Sequence, residues 1–343
     1  MHARTTHQRH HKYRVLRLAA SIPLTAAASW IGYSTLFLAH NLPLPPALSG
    51  EQRELNGRTG RLSYYVAGTG APMLLIHSIN AAGSSYEVRP LFEHYRQSRR
   101  VYALDLPGFG FSDRSPRNYT PRLYADAIMD MVTAIELDTG TTSVDALALS
   151  LSAEFLARAA SEHPDRFRTL AFITPTGFGK GIPHYAAPDS TPGNPVLRSV
   201  FDFPLWNRPF FDLLTSKPSI RFFLAQTFGS YAAIDTGLYE YCYLTTHQPG
   251  AQHAPYAFVS GLLFSTDIGR VYDALTQPVW LAYGTRGAFS NVRDLQRVQS
   301  QPNWTIQSFE TGALPFFEQP AAFIAAYDQF LINGTGTGQN PLA

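Results

Sequence analysis

Cysteine is nearly missing from this sequence: Cys242 is the single one in 343 residues. That excludes an internal disulfide and a cysteine-built metal site. Nothing near Cys242 would lower its thiol pKa, so it reads as a small, buried apolar side chain. Charge is scarce too: Asp, Glu, Lys and Arg make up 15% of the chain, against roughly 25% in an average soluble domain. Apolar residues at 45% and aromatics at 13% supply a sizeable core and exclude a disordered chain. Acid is absent from the first 17 residues, which hold Arg4, Arg9, Lys12, Arg14 and Arg17; the rest carries 22 Lys+Arg against 25 Asp+Glu. The pI of about 8.6 is therefore a property of the N-terminus. The remainder has neither a basic stripe nor a reading motif, which excludes nucleic acid as a partner. Histidine is absent from the last 90 residues, His253 being the final one.

What is present begins with an uncharged run from Leu18 to Ala39. At ~1.5 Å per residue it is about 33 Å long, enough to cross a bilayer core of ~30 Å. Ser21, Pro23, Thr25 and Ser29 interrupt it, which membrane helices tolerate, and Trp30 and Tyr33 lie deeper than an aromatic belt prefers. The five basic residues precede it, so the expectation is a basic cytoplasmic tail (1–17), one transmembrane anchor (18–39) and an extracytoplasmic body. The alternative is a signal peptide cleaved near Ala26-Ala27-Ala28 and a secreted body. Asn41 to Gly50, with three prolines, reads as a stiff extended linker.

Beyond it, Arg61–Ala67, Met73–Ile76, Val101–Leu104, Val144–Ala148, Leu170–Ile173 and Val279–Ala282 are short apolar runs bounded by turn residues. Such runs suit strands of a parallel sheet buried on both faces. Helical stretches at 121–137 and 154–162 fall between them, so strand and helix alternate in a doubly wound α/β pattern. From about Gly177 to Thr276 the pattern turns aromatic-rich and helical, a cap inserted into the core. The expected body is thus a core of 51–176 plus 277–332, a cap of 177–276, and a flexible polar tail of 333–343. Asn118, Asn303 and Asn333 begin Asn-x-Thr sequences, which matter only in a glycosylating host.

Four segments occur in a telling order: Leu74-Leu-Ile-His77-Ser78, Asp105-Leu-Pro-Gly108-Phe-Gly110-Phe-Ser112, Ala148-Leu-Ser150-Leu-Ser152, and Thr311-Gly312-Ala313-Leu314-Pro315 followed by Glu318-Gln-Pro320. Together they resemble the α/β-hydrolase superfamily over residues 52 to 332. The resemblance implies a mostly parallel sheet with a helical cap, no cofactor and no metal. It also implies a nucleophile elbow at Ser150, with Ala148 and Ser152 in place of the two glycines of Gly-x-Ser-x-Gly. The implied oxyanion hole is the pair of backbone amides of Leu151 and Ile79. His77, at a strand end, corresponds to a structural histidine of the family. In isolation Ser150 is also a fair helix N-cap, which is the plainer reading.

The two helpers of the serine are where the sequence departs from the family. The resemblance puts an acid at Gly287 and a general base at Ala313, and neither residue has a proton acceptor. Loss of the base costs serine proteases about 10⁶-fold in turnover. A replacement would have to come from the cap, where His184, His247 and His253 lie, and Asp294 is the nearest shifted acid. A mobile cap is a poor mount for a base. Two functions are therefore expected. The favoured one is a catalytically degenerate, membrane-anchored protein that binds a small hydrophobic or ester-like ligand or a membrane protein partner. The other is a serine ester or lipid hydrolase using Ser150 with an unconventional base.

Overall fold

The computed structural model describes residues 25–179, 185–289, 292 and 295–335. After a helix over residues 25–37 (α1), β1 (Glu51–Gly57) and β2 (Gly60–Ala67) form an antiparallel hairpin. Then follow β3 (Pro72–Ile76), α2 (Arg89–Tyr95), β4 (Arg100–Asp105), α3 (Pro121–Thr139), β5 (Val144–Leu149), α4 (Ser152–Glu162) and β6 (Phe167–Ile173). Helices α5 (Pro195–Phe201), α6 (Asn207–Leu214), α7 (Lys217–Phe228), α8 (Thr236–Thr246), α9 (His253–Val259) and α10 (Ile268–Asp273) separate β6 from β7 (Val279–Gly284). The chain continues through α11 (Gln296–Gln299), β8 (Trp304–Phe309), α12 (Pro315–Glu318) and α13 (Pro320–Thr335).

The eight strands lie in the order β1-β2-β4-β3-β5-β6-β7-β8, and β3 through β8 run parallel. All six expected runs are strands. The two missed strands, β1 and β8, are the edge strands, whose mixed exposure leaves no continuous apolar run to read. Side chains alternate between two cores. Leu74 and Ile76 enter a layer with Ile128 and Leu156 of α3 and α4, while Met73 and Leu75 meet Phe92 of α2 and Phe323 and Tyr327 of α13. The chain order reverses at β3, which pairs with both β4 and β5. That switch point, at the strands' carboxyl ends, is where doubly wound sheets bind ligands.

Three expectations change. Residues 41–50 are not a free linker: Ala47 and Leu48 are buried, the Ala47 amide donates to the Tyr65 hydroxyl, and the Leu42 amide donates to the His247 carbonyl. Proline prevents helix here but not packing. The tail begins later than Asn333, because α13 continues to Thr335 with Phe330 and Leu331 packed into the core beneath Trp280; residues 336–343 lie outside the described residues.

The third concerns the expected membrane span. No helix of the described residues is long and apolar enough to cross a membrane, and 18–24, the first part of the run, lies outside them. The second part, α1, lies on the cap: Trp30 Nε1 donates to the Pro209 carbonyl (2.7 Å) and Ser34 Oγ to Asp212 (2.6 Å). His40 Nε2 is 2.8 Å from the same carboxylate, which also faces Arg208. Asp212 and Ser34 are buried, so one face of α1 is polar contact with α6 rather than lipid.

Candidate active site

The turn between β5 and α4 holds Ser150 at φ 51, a left-handed conformation that costs an L-residue ~1–2 kcal/mol. Its amide donates to the Ile173 carbonyl (2.9 Å) at the end of β6, and its carbonyl accepts from Ala153 (3.1 Å). The Ser150 side chain is half-buried, and its hydroxyl has no hydrogen-bond partner among the described residues. Ser152, where the family pattern has glycine, is fully buried and donates to the His77 carbonyl (2.6 Å). The replacement thus bolts the elbow to the end of β3.

Residues 77–80 form the facing loop. Leu106 N–H donates to His77 Nε2 (3.0 Å), which puts the ring proton on Nδ1, 2.7 Å from the Ser78 carbonyl that accepts it. Both ring nitrogens are used and burial pushes the imidazole below the ordinary histidine range, so His77 is a neutral structural group. Glu87 accepts from the Ser78 amide (2.8 Å) and from Asn80 Nδ2 (2.7 Å). Burial pushes its carboxyl up to about 7, against those donors. Asp105 accepts from the amide (3.0 Å) and hydroxyl (2.7 Å) of Ser85 and from the Phe111 amide (3.0 Å), tying the loops after β3 and β4 together. The glycine at 110 is required by that carboxylate: a Cβ there would stand 2.0 Å from its carbon. The amides of Leu151 and Ile79 are buried, and neither donates to a protein acceptor among the described residues.

The opposite corner holds the degenerate positions. Thr174, just after β6, has φ 47, an outlier for a β-branched residue. It is held by its amide on the Ala282 carbonyl (2.7 Å) and its hydroxyl on the Ala313 carbonyl (2.8 Å). Ala313 is therefore linked to the elbow through Thr174 and its neighbour Ile173, whose carbonyl accepts from the Ser150 amide. Its amide donates to the Thr227 carbonyl (2.7 Å), and that of Ala288 to the Gln226 carbonyl (3.1 Å). Those acceptors belong to the last turn of α7, whose carbonyls have no partner within the helix. A Cβ at Gly287 would stand 2.6 Å from the Gln226 oxygen, and one at Gly312 would stand 2.3 Å from that of Thr227. Glu318 braces both loops, accepting from the Gly312 amide (2.6 Å) and from Arg286 (2.5 Å).

A parallel sheet with a strained serine after β5, a buried histidine after β3 and a helical insert after β6 now stand together, and the family described as the alpha/beta hydrolase fold matches residues 71–224. The chain has the α/β-hydrolase fold. The 2-hydroxymuconate semialdehyde hydrolase of Pseudomonas sp. (strain CF600) is 26% identical over 127 residues, 36% of this chain and 44% of that protein. The match thus spans less than half of that curated relative. The meta-cleavage product hydrolase of Pseudomonas fluorescens IP01 superposes with a TM-score of 0.63 at 18% identity, over 82% of this chain and 97% of that one. A membrane phospholipase A, a bacterial virulence factor, superposes with a TM-score of 0.60 at 18% identity, over 96% of this chain and all of that one (100%). At these identities the structures share a fold with this chain.

The cap of this hydrolase fold is fastened on several sides. Glu154, in the first turn of α4, accepts from the Ser265 amide (2.9 Å) and from Thr176, and burial pushes it up to about 7. Arg158 pairs with Asp267 (2.7 Å), both buried. Arg114 donates to the carbonyls of Gly110 (3.0 Å) and Thr245 (2.8 Å), with burial lowering it to about 10. None of these contacts is legible in the sequence; the only sign for Glu154 is its place in a run of small and apolar residues after Ser152.

Neither described cap histidine, His247 or His253, is hydrogen-bonded to Ser150. His247 is buried against the Tyr243 ring, with Nδ1 2.7 Å from the Tyr243 carbonyl. His253 lines an open cleft of about 1080 Å³ with Arg117, Arg198 and Asp202, and Ser150 is not among its walls. His184 and Asp294 lie outside the described residues. Cys242 is buried and burial pushes its thiol up. Among the described residues no group of three or more His, Cys, Asp or Glu could hold a metal ion.

Proposed function

We propose that this α/β-hydrolase-fold protein is noncatalytic and binds a small hydrophobic or ester-like ligand at the carboxyl edge of its sheet, beneath the cap. One observation carries the reading. At Gly287 and Ala313 the chain has neither an acid nor a base, and the end of α7 fills the corner, its Gln226 and Thr227 carbonyls bonded to the amides of Ala288 and Ala313. A serine without a proton acceptor is a very poor nucleophile. The protein is held at a membrane by its N-terminal segment, and the five basic residues before Leu18 support that attachment.

A second reading, a serine ester or lipid hydrolase, is favoured by the left-handed Ser150 and by the amides of Leu151 and Ile79, which have no protein acceptor among the described residues. Backbone strain of this kind collects at functional sites. Fluorophosphonate labelling separates the two. The purified full chain is expected to show no labelling, and its rate on p-nitrophenyl butyrate is expected to equal that of Ser150→Ala. Labelling that disappears in Ser150→Ala would establish the hydrolase.

A further inference from the structure

The described residues expose nineteen large apolar side chains, and fourteen of them fall within residues 33–37 and 196–231. The clustering is structural as well as sequential. Trp30 and Ser34 fasten one side of α1 to α6, which leaves Tyr33, Leu36 and Phe37 on the far side, 50%, 75% and 74% exposed. On α6 itself Phe211 and Asp212 face inward, while Phe210, Leu213 and the preceding Trp206 form an outward stripe at helical spacing. The stripe is therefore continuous with α1 through the contact between the two helices. Monomeric soluble proteins rarely keep contiguous apolar patches of this extent uncovered.

Charge identifies the occupant. From residue 203 to 234 the sole acid is Asp212, which is buried against Ser34, His40 and Arg208, whereas the bases Lys217 and Arg221 are exposed. Asp202, at the patch edge, is paired with Arg198 (2.6 Å). An exposed aromatic surface flanked by Lys217 and Arg221, which lie over the Tyr243 and Tyr231 rings and not against an acid, has the composition of a bilayer-facing surface. A protein partner of ordinary composition gives no reason for the missing acids. The chain also reaches this face straight from the uncharged run that begins at Leu18, itself preceded by five basic residues.

We infer that α1 and the outer faces of α5 and α6 dock in the plane of a bilayer carrying anionic headgroups, so that the cap rests on the lipid. α1 is then an interfacial helix, not half of an isolated span. This rests on the membrane attachment proposed above and is independent of whether Ser150 is a nucleophile.

The test uses the full chain with one added cysteine, Leu213→Cys on α6 or Leu137→Cys on α3, each carrying an environment-sensitive nitrobenzoxadiazole label; native Cys242 is buried and stays unlabelled. Both sites are exposed, so neither change threatens folding. With vesicles of equal phosphatidylglycerol and phosphatidylcholine, emission at position 213 is expected to rise and shift to the blue while that at 137 stays as in water. Phe210→Gln with Leu213→Gln is expected to weaken vesicle binding roughly tenfold. Vesicle-bound protein with an unchanged signal at 213 would overturn the docking and leave the attachment standing. Failure to co-sediment at all would overturn both, and equal binding to phosphatidylcholine alone would overturn the part played by charge.

Discussion

Gly287→Asp, the substitution that restores the family's acid, is expected to destabilise the protein by about 3–5 kcal/mol. Position 287 has φ 89, a conformation that a side chain adopts only under strain, and its Cβ would stand 2.6 Å from the Gln226 oxygen. Relief of that contact pushes α7 away and breaks the bond from Ala288 to Gln226. The new carboxylate would also face the partial negative charge at the carboxyl end of α7, adding repulsion. Urea unfolding should show a lower midpoint at unchanged slope. Adding Ala313→His should leave p-nitrophenyl ester hydrolysis at the level of Ser150→Ala, because the imidazole would enter a corner lined by the last turn of α7. Serine-dependent hydrolysis in the double variant would mean that α7 yields and that the site is latent, not closed.

The second large effect is a pH dependence centred on the cap. Glu154 is held near 7 in the folded protein by burial, above the 4.5 of the unfolded chain. Between those values the folded state binds the extra proton, so this carboxyl's contribution to stability is intact below about pH 4.5 and is lost as pH rises toward 7. The loss is on the order of 3 kcal/mol. Glu154→Gln copies the protonated form: its amide can donate to Thr176 Oγ1 while its oxygen keeps the Ser265 amide. Relative to the native chain the variant is therefore expected to gain about 3 kcal/mol between pH 4.5 and 7 and nothing further above that. Glu87 behaves with the same sign in both proteins and drops out of the comparison. His77, His247 and His253, lowered by burial, act in the opposite sense below about 6.5 and cancel likewise. A pH-independent difference in unfolding free energy would show that Glu154 is ionised in the folded protein.

Both experiments address one feature, the fastening of the cap to the core. In a hydrolase a cap covers the mouth and a histidine reaches in beneath it. Here the loops that would carry the helpers have become partners for the end of a cap helix. The glycine at 287 and the alanine at 313 are matched to packing against that helix end.

The sequence by itself determined the sheet and its carboxyl edge. Strands β3 to β7 are buried on both faces, and that burial demands continuous apolar runs which stand out in any sequence. It also determined the serine turn and the absence of histidine after His253, since a missing imidazole is read directly from the residues. Edge strands β1 and β8 escaped because half their side chains meet water. Only the tertiary structure decided that His77 is locked in one tautomer, that neither His247 nor His253 is hydrogen-bonded to Ser150, and that α7 closes the empty corner. Those facts depend on residues distant in sequence, such as Thr227 and Ala313, meeting through backbone groups that every residue carries alike. The uncharged N-terminal run shows the same limit. Its hydropathy fits a membrane span, but the bonds of Trp30 and Ser34 to α6 assign one face of α1 to the cap, and hydropathy does not register a contact made by two hydrogen bonds.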